Sequence, residues 1–301
     1  MLSEKINRCF KRIFKTAYGV DCLIESHRRL EDGLQRIDEG LERIDGRLER
    51  IEEALDRKFP EVDVKVKEAT PEKFLRLRNK YLGERCFLLG TAPSLSELDL
   101  SALIGERIFS VNGGIKLIGH PFKSLVGYCV ADPIFYRDHK NEIDTASIDH
   151  LFISSTVNIS EKKHLDSACI FDICIRPRMH QGMFQFDLTQ PTFSSHTVMH
   201  HALQILVYMG FRKIYLAGID LSFGTDEPHF YTSTEREVRD SANRSAVHAH
   251  KMLEGFYKAN RILSERGIKV VNLSSGGALK DIERDDLNTV LGREVASASK
   301  V

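Results

Sequence analysis

TVMHHALQILVYMGFRKIYLAGID, residues 197–220, decides the fold. Its first half predicts a helix near 196–209 that ends at Gly210 and feeds directly into KIYLAGID (213–220), a β-rich apolar run. An uninterrupted run of that kind marks a strand covered on both faces, as in parallel sheets whose crossovers are helices. Five more such runs lie in the same part of the chain: CFLLG (86–90), RIFSVN (107–112), SLVGYCV (124–130), HLFIS (150–154) and IKVVNLSS (268–275). A long helix is expected near 246–266, with Val247, Leu253, Phe256, Tyr257 and Leu263 on its apolar side. The pattern predicts an α/β domain over 84–284, a modified Rossmann-like, mostly parallel doubly wound sheet, preceded by an N-terminal coiled-coil helix. Ligands of such sheets sit beyond the carboxyl ends of the strands. The polar stretch within 222–245 is long enough for a lid, and residues 285–301, without periodicity, read as a flexible tail.

Ahead of that domain, residues 21–59 carry a heptad pattern. Leu30, Leu34, Ile37, Leu41, Ile44, Leu48, Ile51 and Leu55 alternate spacings of four and three without a break. Leu at the a positions and Ile at the d positions shifts parallel coils toward trimers or tetramers. Gly33, Gly40 and Gly46 each weaken a helix by about 1 kcal/mol. Self-association must then supply the stability of a coiled-coil oligomerisation stalk; an antiparallel hairpin with the first helix is the other reading. Residues 1–20 are basic, with Lys5, Arg8, Lys11, Arg12 and Lys15 against Glu4, and Ile6, Phe10, Ile13 and Phe14 recur at helical spacing. Two readings stay open: a helix lying on an anionic membrane surface, or one packed on its own protein. Pro60 ends the stalk, and 60–83 read as a linker and a helix.

Composition narrows the function. Of 301 residues, 43 are Lys or Arg and 43 Asp or Glu, a zero balance that argues against a dedicated nucleic-acid partner. No stretch approaches 18 uninterrupted apolar residues, and no secretory signal opens the chain. Six cysteines are scattered without a CxxC pair, as reduced thiols are in a cytoplasmic protein. The expected location is the cytoplasm, with residues 1–20 offering contact to the inner face of a membrane.

Three strand ends form one rim. The first run ends in Gly90-Thr91-Ala92-Pro93-Ser94, the second in Asn112-Gly113-Gly114, the third in Ala131-Asp132-Pro133. Small-residue turns there can turn backbone N–H groups toward phosphate or sugar oxygens, although neither a Walker loop nor GxGxxG is present. Asp132 before proline reads equally as a helix N-cap. Six histidines come late: His196, His200, His201, His229, His248 and His250. His196 and His200 have the i, i+4 spacing of zinc ligands, but no HExxH and no cysteine set accompany them, so no metal site and no cofactor is expected. His250, at the start of the last long helix and beside the lid, suits a general base.

Four pieces in this order resemble the bacterial sialyltransferases of glycosyltransferase family 42, within the broader 6-hydroxymethylpterin diphosphokinase-like domain family. They are LLGTAPSLSELDL (88–100), FSVNGG (109–114), residues 197–220, and a histidine on the helix leading to IKVVNL (268–273). The resemblance spans about 200 residues and excludes the stalk. It implies a CMP-activated sugar donor bound without metal, with Gly90, Thr91, Ala92, Pro93, Ser94, Asn112 and Gly113 against the nucleotide. Asp132 stands where the family carries a donor-site asparagine. Ser195, Thr197 and Asp220 flank the same site, and His250, 18 positions before Ile268, falls on the catalytic histidine. The chain departs from the family where Thr91-Ala92 replace Asn-Gly, where Ser195 and His196 replace an arginine, and where Ser222 replaces the first of two tyrosines. Tyr231 is left as the second.

The reaction so implied is an inverting transfer of a sialic-acid-like sugar to a glycan or protein hydroxyl. His250 would be the base and Tyr231 a donor to the departing phosphate. A CMP leaving group carries one phosphate, so hydrogen bonds can take the place of a metal. Two other classes remain: a magnesium-ATP phosphotransferase of the pterin diphosphokinase kind, for which Asp132 and Asp220 are the rim carboxylates, and a non-catalytic coiled-coil scaffold.

Overall fold

In β1 (Arg85–Leu89) successive side chains enter opposite cores: Cys86 and Leu88 one, Phe87 and Leu89 the other. The same alternation continues in β2 (Ile108–Val111), β3 (Gly127–Val130), β4 (Leu151–Ser154), β6 (Lys213–Ala217) and β7 (Lys269–Asn272). Burial on both faces is why these segments are mostly apolar rather than alternating. The structure, a computed structural model, describes residues 69–161, 167–174, 183–221 and 229–298, with isolated positions before 69. The chain divides into two units, Met1–Lys65 and Val66–Val301. The coiled-coil reading of 21–59, the basic segment 1–20, residues 60–68 of the linker and Ser222 lie outside the described residues.

The seven strands among the described residues are all parallel, in the order β5-β4-β3-β2-β1-β6-β7, where β5 is Cys169–Phe171. Chain order reverses between β1 and β6, which makes their carboxyl ends the switch point. β5 has only three residues and was not foreseen in the sequence. Thr70 flanks it, donating its N–H to Ile170 O and accepting from Ile170 N, so Thr70 covers part of an edge otherwise open to pairing.

The helices α1 (Pro71–Leu75), α4 (Val198–Tyr208) and α5 (Glu235–Ser264) contribute to one core. The helices α2 (Pro133–Thr145), α3 (Ser155–Glu161) and α6 (Leu287–Ala298) contribute to the other. Every residue of α4 from Met199 to Tyr208 is buried. A helix so enclosed must satisfy its polar side chains internally: Gln204 Oε1 accepts from Gln185 N and Phe193 N, and its Nε2 donates to Phe193 O. Gly210, at φ 101°, takes the left-handed conformation that ends α4 and turns the chain toward β6.

Three expectations need correction. The tail begins with a helix, α6, whose Leu287 and Val290 are buried and whose Thr289 N–H binds Asp286 Oδ1. The domain starts before residue 84, because Phe74, Leu77 and Tyr81 belong to its core. The last long helix starts at Glu235, not near 246, so the second half of the expected lid is helical and His250 lies mid-helix. Thr234 and Glu237 form a capping box that fixes this start. No described helix is long and apolar enough to cross a membrane.

Candidate active site

A cleft of about 770 Å³ opens beyond the carboxyl ends of the strands. Thr91 lines it after β1, Asn112 after β2, Ala131 and Asp132 after β3, and Ile173 after β5. Ser194, His196, Thr197, Val198 and His201 bring in the start of α4; Pro133, Ile134, Phe135, Asp138 and His139 bring in α2. A strap of His229 and Tyr231, with Thr234, Arg236, Glu237 and Met252 of the capping segment and α5, closes the remaining side.

Of the residues expected at the site, Thr91, Asn112, Asp132, Thr197 and Tyr231 meet in this cleft. Asp132 and Thr197 are also N-caps. Asp132 Oδ1 accepts from Ile134 N at 2.8 Å, and Thr197 Oγ1 from Met199 N at 3.3 Å, so the starts of α2 and α4 both face the cavity. Their dipoles favour a negative ligand group there. Asn112 holds φ 41°, and its Oδ1 is buried without a hydrogen-bond partner among the described residues.

Gly90, Ala92, Ser94 and Asp220 form instead the packed junction of β1 and β6, and Pro93 is exposed at the start of the following turn, outside the lining. Gly90 N–H donates to Ala217 O, Ala92 N–H to Gly218 O, and Ser94 gives both its N–H and its hydroxyl to the Asp220 carboxylate. The Ser94 hydroxyl also bonds Ser274. Backbone donors in this turn are thus spent on the protein, which corrects the picture of a phosphate cradle at Ala92 and Ser94. Gly113 lies beneath the strap: a Cβ on it would collide with the Tyr231 ring. Ser195 is buried behind the cleft wall, against Gly255.

The strap is pinned at three points. Phe230 N–H donates to Thr91 O, Thr91 Oγ1 lies 3.2 Å from His229 Nδ1, and Tyr231 OH donates to Glu237 Oε1 at 2.9 Å. His229 and Tyr231 stack with centroids 5.0 Å apart, and Lys116 Nζ sits 5.3 Å over the tyrosine ring. Burial first, then the Glu237 charge, push the Tyr231 phenol well above its ordinary pKa, which keeps it a donor. Burial works to raise Glu237, but hydrogen bonds from Thr234 N–H, Tyr231 and the Thr234 hydroxyl outweigh it and leave the carboxyl below its ordinary value. Burial lowers His229 despite the opposing charge of Glu237.

His250 is exposed on α5 and is absent from the lining. Sequence reasoning missed His139, His196, His201 and Glu237 as cleft residues. For Glu237 a signal existed, the T-x-x-E capping pattern at Thr234–Glu237. His139 interrupts α2 at φ −117°, ψ 17°, stacks on Phe135 and lies 3.8 Å from Glu237; no motif marks it.

No family model matches the sequence, and no curated protein does. Among solved structures, the chain is similar to the sialyltransferase CstII from Campylobacter jejuni in complex with the substrate analogue CMP-3FNeuAc: 15% identity, 68% of this chain and 88% of that one, TM-score 0.45. It is similar to the MAf glycosyltransferase from Magnetospirillum magneticum AMB-1 at 14% identity and TM-score 0.46, over 73% of this chain and 37% of that longer one. The monofunctional alpha-2,3-sialyltransferase Cst-I from Campylobacter jejuni matches at 12% identity and TM-score 0.42, over 67% and 79%.

Proposed function

We propose that the domain is a glycosyltransferase that moves a sialic-acid-like sugar from a CMP-activated donor to a hydroxyl of a glycan or protein, with inversion and without a metal ion. One observation carries the reading: the turns whose sequence resembles family 42 converge on a single cleft lined by Asn112, whose buried Oδ1 has no hydrogen-bond partner among the described residues. An orphaned buried acceptor calls for a ligand donor, and the cytosine amine or a ribose hydroxyl supplies one. Thr91 and the starts of α2 and α4 suit the phosphate.

In the transfer, an acceptor oxygen bonds to the anomeric carbon, the bond from that carbon to the phosphate oxygen breaks, and its electrons leave with CMP. Tyr231 turns from Glu237 to the departing phosphate; a donor of this kind is worth about 10²–10³ in kcat. A histidine on the cleft wall takes the acceptor proton. The role expected of His250 finds no support in its exposed position outside the lining. The proposal extends to the rest of the chain: residues 21–59 assemble it as a trimer or tetramer, and residues 1–20 in several copies dock it on the cytoplasmic face of a membrane.

Thermal melting with CMP, CDP, UDP and ATP, each with and without magnesium, tests the reading. A ligand at 100 times its Kd adds about 2.7 kcal/mol to the folded state. CMP should raise the melting temperature equally with and without magnesium. Stabilisation by magnesium-ATP alone would replace the reading with a phosphotransferase.

A further inference from the structure

α5 carries His248, Met252 and Gly255 at i, i+4 and i+7, one face of the helix. Met252 lines the cleft. At Gly255 the helix comes so close to the loop before α4 that a Cβ would collide with the Ser195 hydroxyl. That close approach sets the His248 ring against the next loop residue, His196, with centroids 4.1 Å apart and planes within 11°. His196 lines the cleft beside Thr197, and it does so in the left-handed conformation at φ 58°. A residue with a Cβ costs about 1–2 kcal/mol there, a strain that recurs at functional sites. His248 Nδ1 is buried and has no hydrogen-bond partner in the described structure. His250 is 200° round the helix from His248, in the direction away from this contact.

We infer that His196, backed by His248, is the group that accepts the proton of the acceptor hydroxyl. The inference rests on the glycosyl-transfer reading. As the acceptor oxygen bonds to the anomeric carbon, its proton passes to the His196 imidazole, and the phosphate-side electron pair leaves with CMP. Charge balances: the ring gains one positive charge and the leaving group one negative. A base must be unprotonated at working pH. Burial, then the nearby His248, Lys251 and His250, lower the His196 pKa from its ordinary value. His196 is the catalytic residue; His248 is a positioning residue that holds the ring and keeps it neutral.

The experiment uses the full chain, with CMP-N-acetylneuraminic acid as donor and water as acceptor, and follows CMP release in His196→Gln, His248→Gln and His250→Gln. CMP binding, read by thermal shift, should persist in all three. His196→Gln should release CMP at least 100-fold more slowly, and His250→Gln at the wild-type rate. His248→Gln should move the acid limb of the kcat/KM profile to higher pH, and the His196 resonance in an NMR titration should follow it. A His196→Gln enzyme near wild-type rate, or an acid limb unmoved in His248→Gln, overturns the assignment while leaving the transferase reading in place. Wild-type protein that neither binds CMP nor releases it overturns the transferase reading, and the assignment with it.

Discussion

Lowering the pH from 7.5 to 5.5 should cost the domain about 3 kcal/mol of stability through two histidines alone. His200 and His201 lie inside α4, at 0% and 2% exposure. His200 Nδ1 faces Phe193 O at 3.1 Å, while its Nε2 is buried without a partner among the described residues; His201 Nδ1 meets Thr192 Oγ1 at 2.9 Å. Burial pushes His200 down to about 4, and burial with the nearby His200 pushes His201 down to about 3, from 6.5. The unfolded chain therefore binds protons that the folded one refuses, so stability is full above about 6.5 and is lost as the pH falls below it. At pH 5.5 the unfolded form of each histidine gains about 1.4 kcal/mol, and the folded form almost nothing. Ordinary carboxylates scarcely titrate in this interval, and His150, His196 and His229, also lowered by burial, add to the loss. Urea unfolding at the two pH values reads the difference. Equal midpoints, or NMR showing His200 or His201 titrating near 6.5 in the folded protein, would refute the reasoning.

Gly113→Ala should push the Tyr231 ring off its seat and break its bond to Glu237; CMP release should fall about 10²–10³-fold, as in Tyr231→Phe, and turnover unchanged in both variants would remove Tyr231 from the reaction. Asp220→Asn weakens a buried carboxylate bound to Ser94 and should cost about 1.5–3 kcal/mol in urea unfolding, with CMP affinity kept; a tenfold loss of affinity at unchanged stability would place Asp220 on the ligand. Sedimentation of the full chain against one starting at Pro60 should show an oligomer larger than a dimer that the shorter chain loses. A monomeric full chain contradicts that expectation.

Where burial on both faces was encoded in one run of residues, the sequence was legible. KIYLAGID and CFLLG predict β6 and β1 within a few residues, because a strand between two helical layers has no wet face to confuse the pattern. β5 escaped because three residues in a short apolar stretch carry no period. The start of α5 escaped for a different reason: Glu235, Arg236 and Arg239 are exposed, and the early turns show no apolar stripe, although the capping box announced them. α6 was hidden because, among its described side chains, the apolar face amounts to Leu287, Val290 and Leu291. At the site, the strand-end residues Thr91, Asn112 and Asp132 could be named from position alone. Which backbone donors were already spent on Asp220 and Gly218, and which histidine on α5 turns inward, depends on packing between elements far apart in sequence.

The most direct measurement is CMP release from CMP-N-acetylneuraminic acid by the full chain in excess EDTA, compared with the same reaction in magnesium. Equal rates in the two conditions, each abolished in Tyr231→Phe/His196→Gln, are expected of a metal-independent transferase working at this cleft. Release that requires magnesium would contradict metal independence, and no release in either condition would contradict the function proposed for this domain.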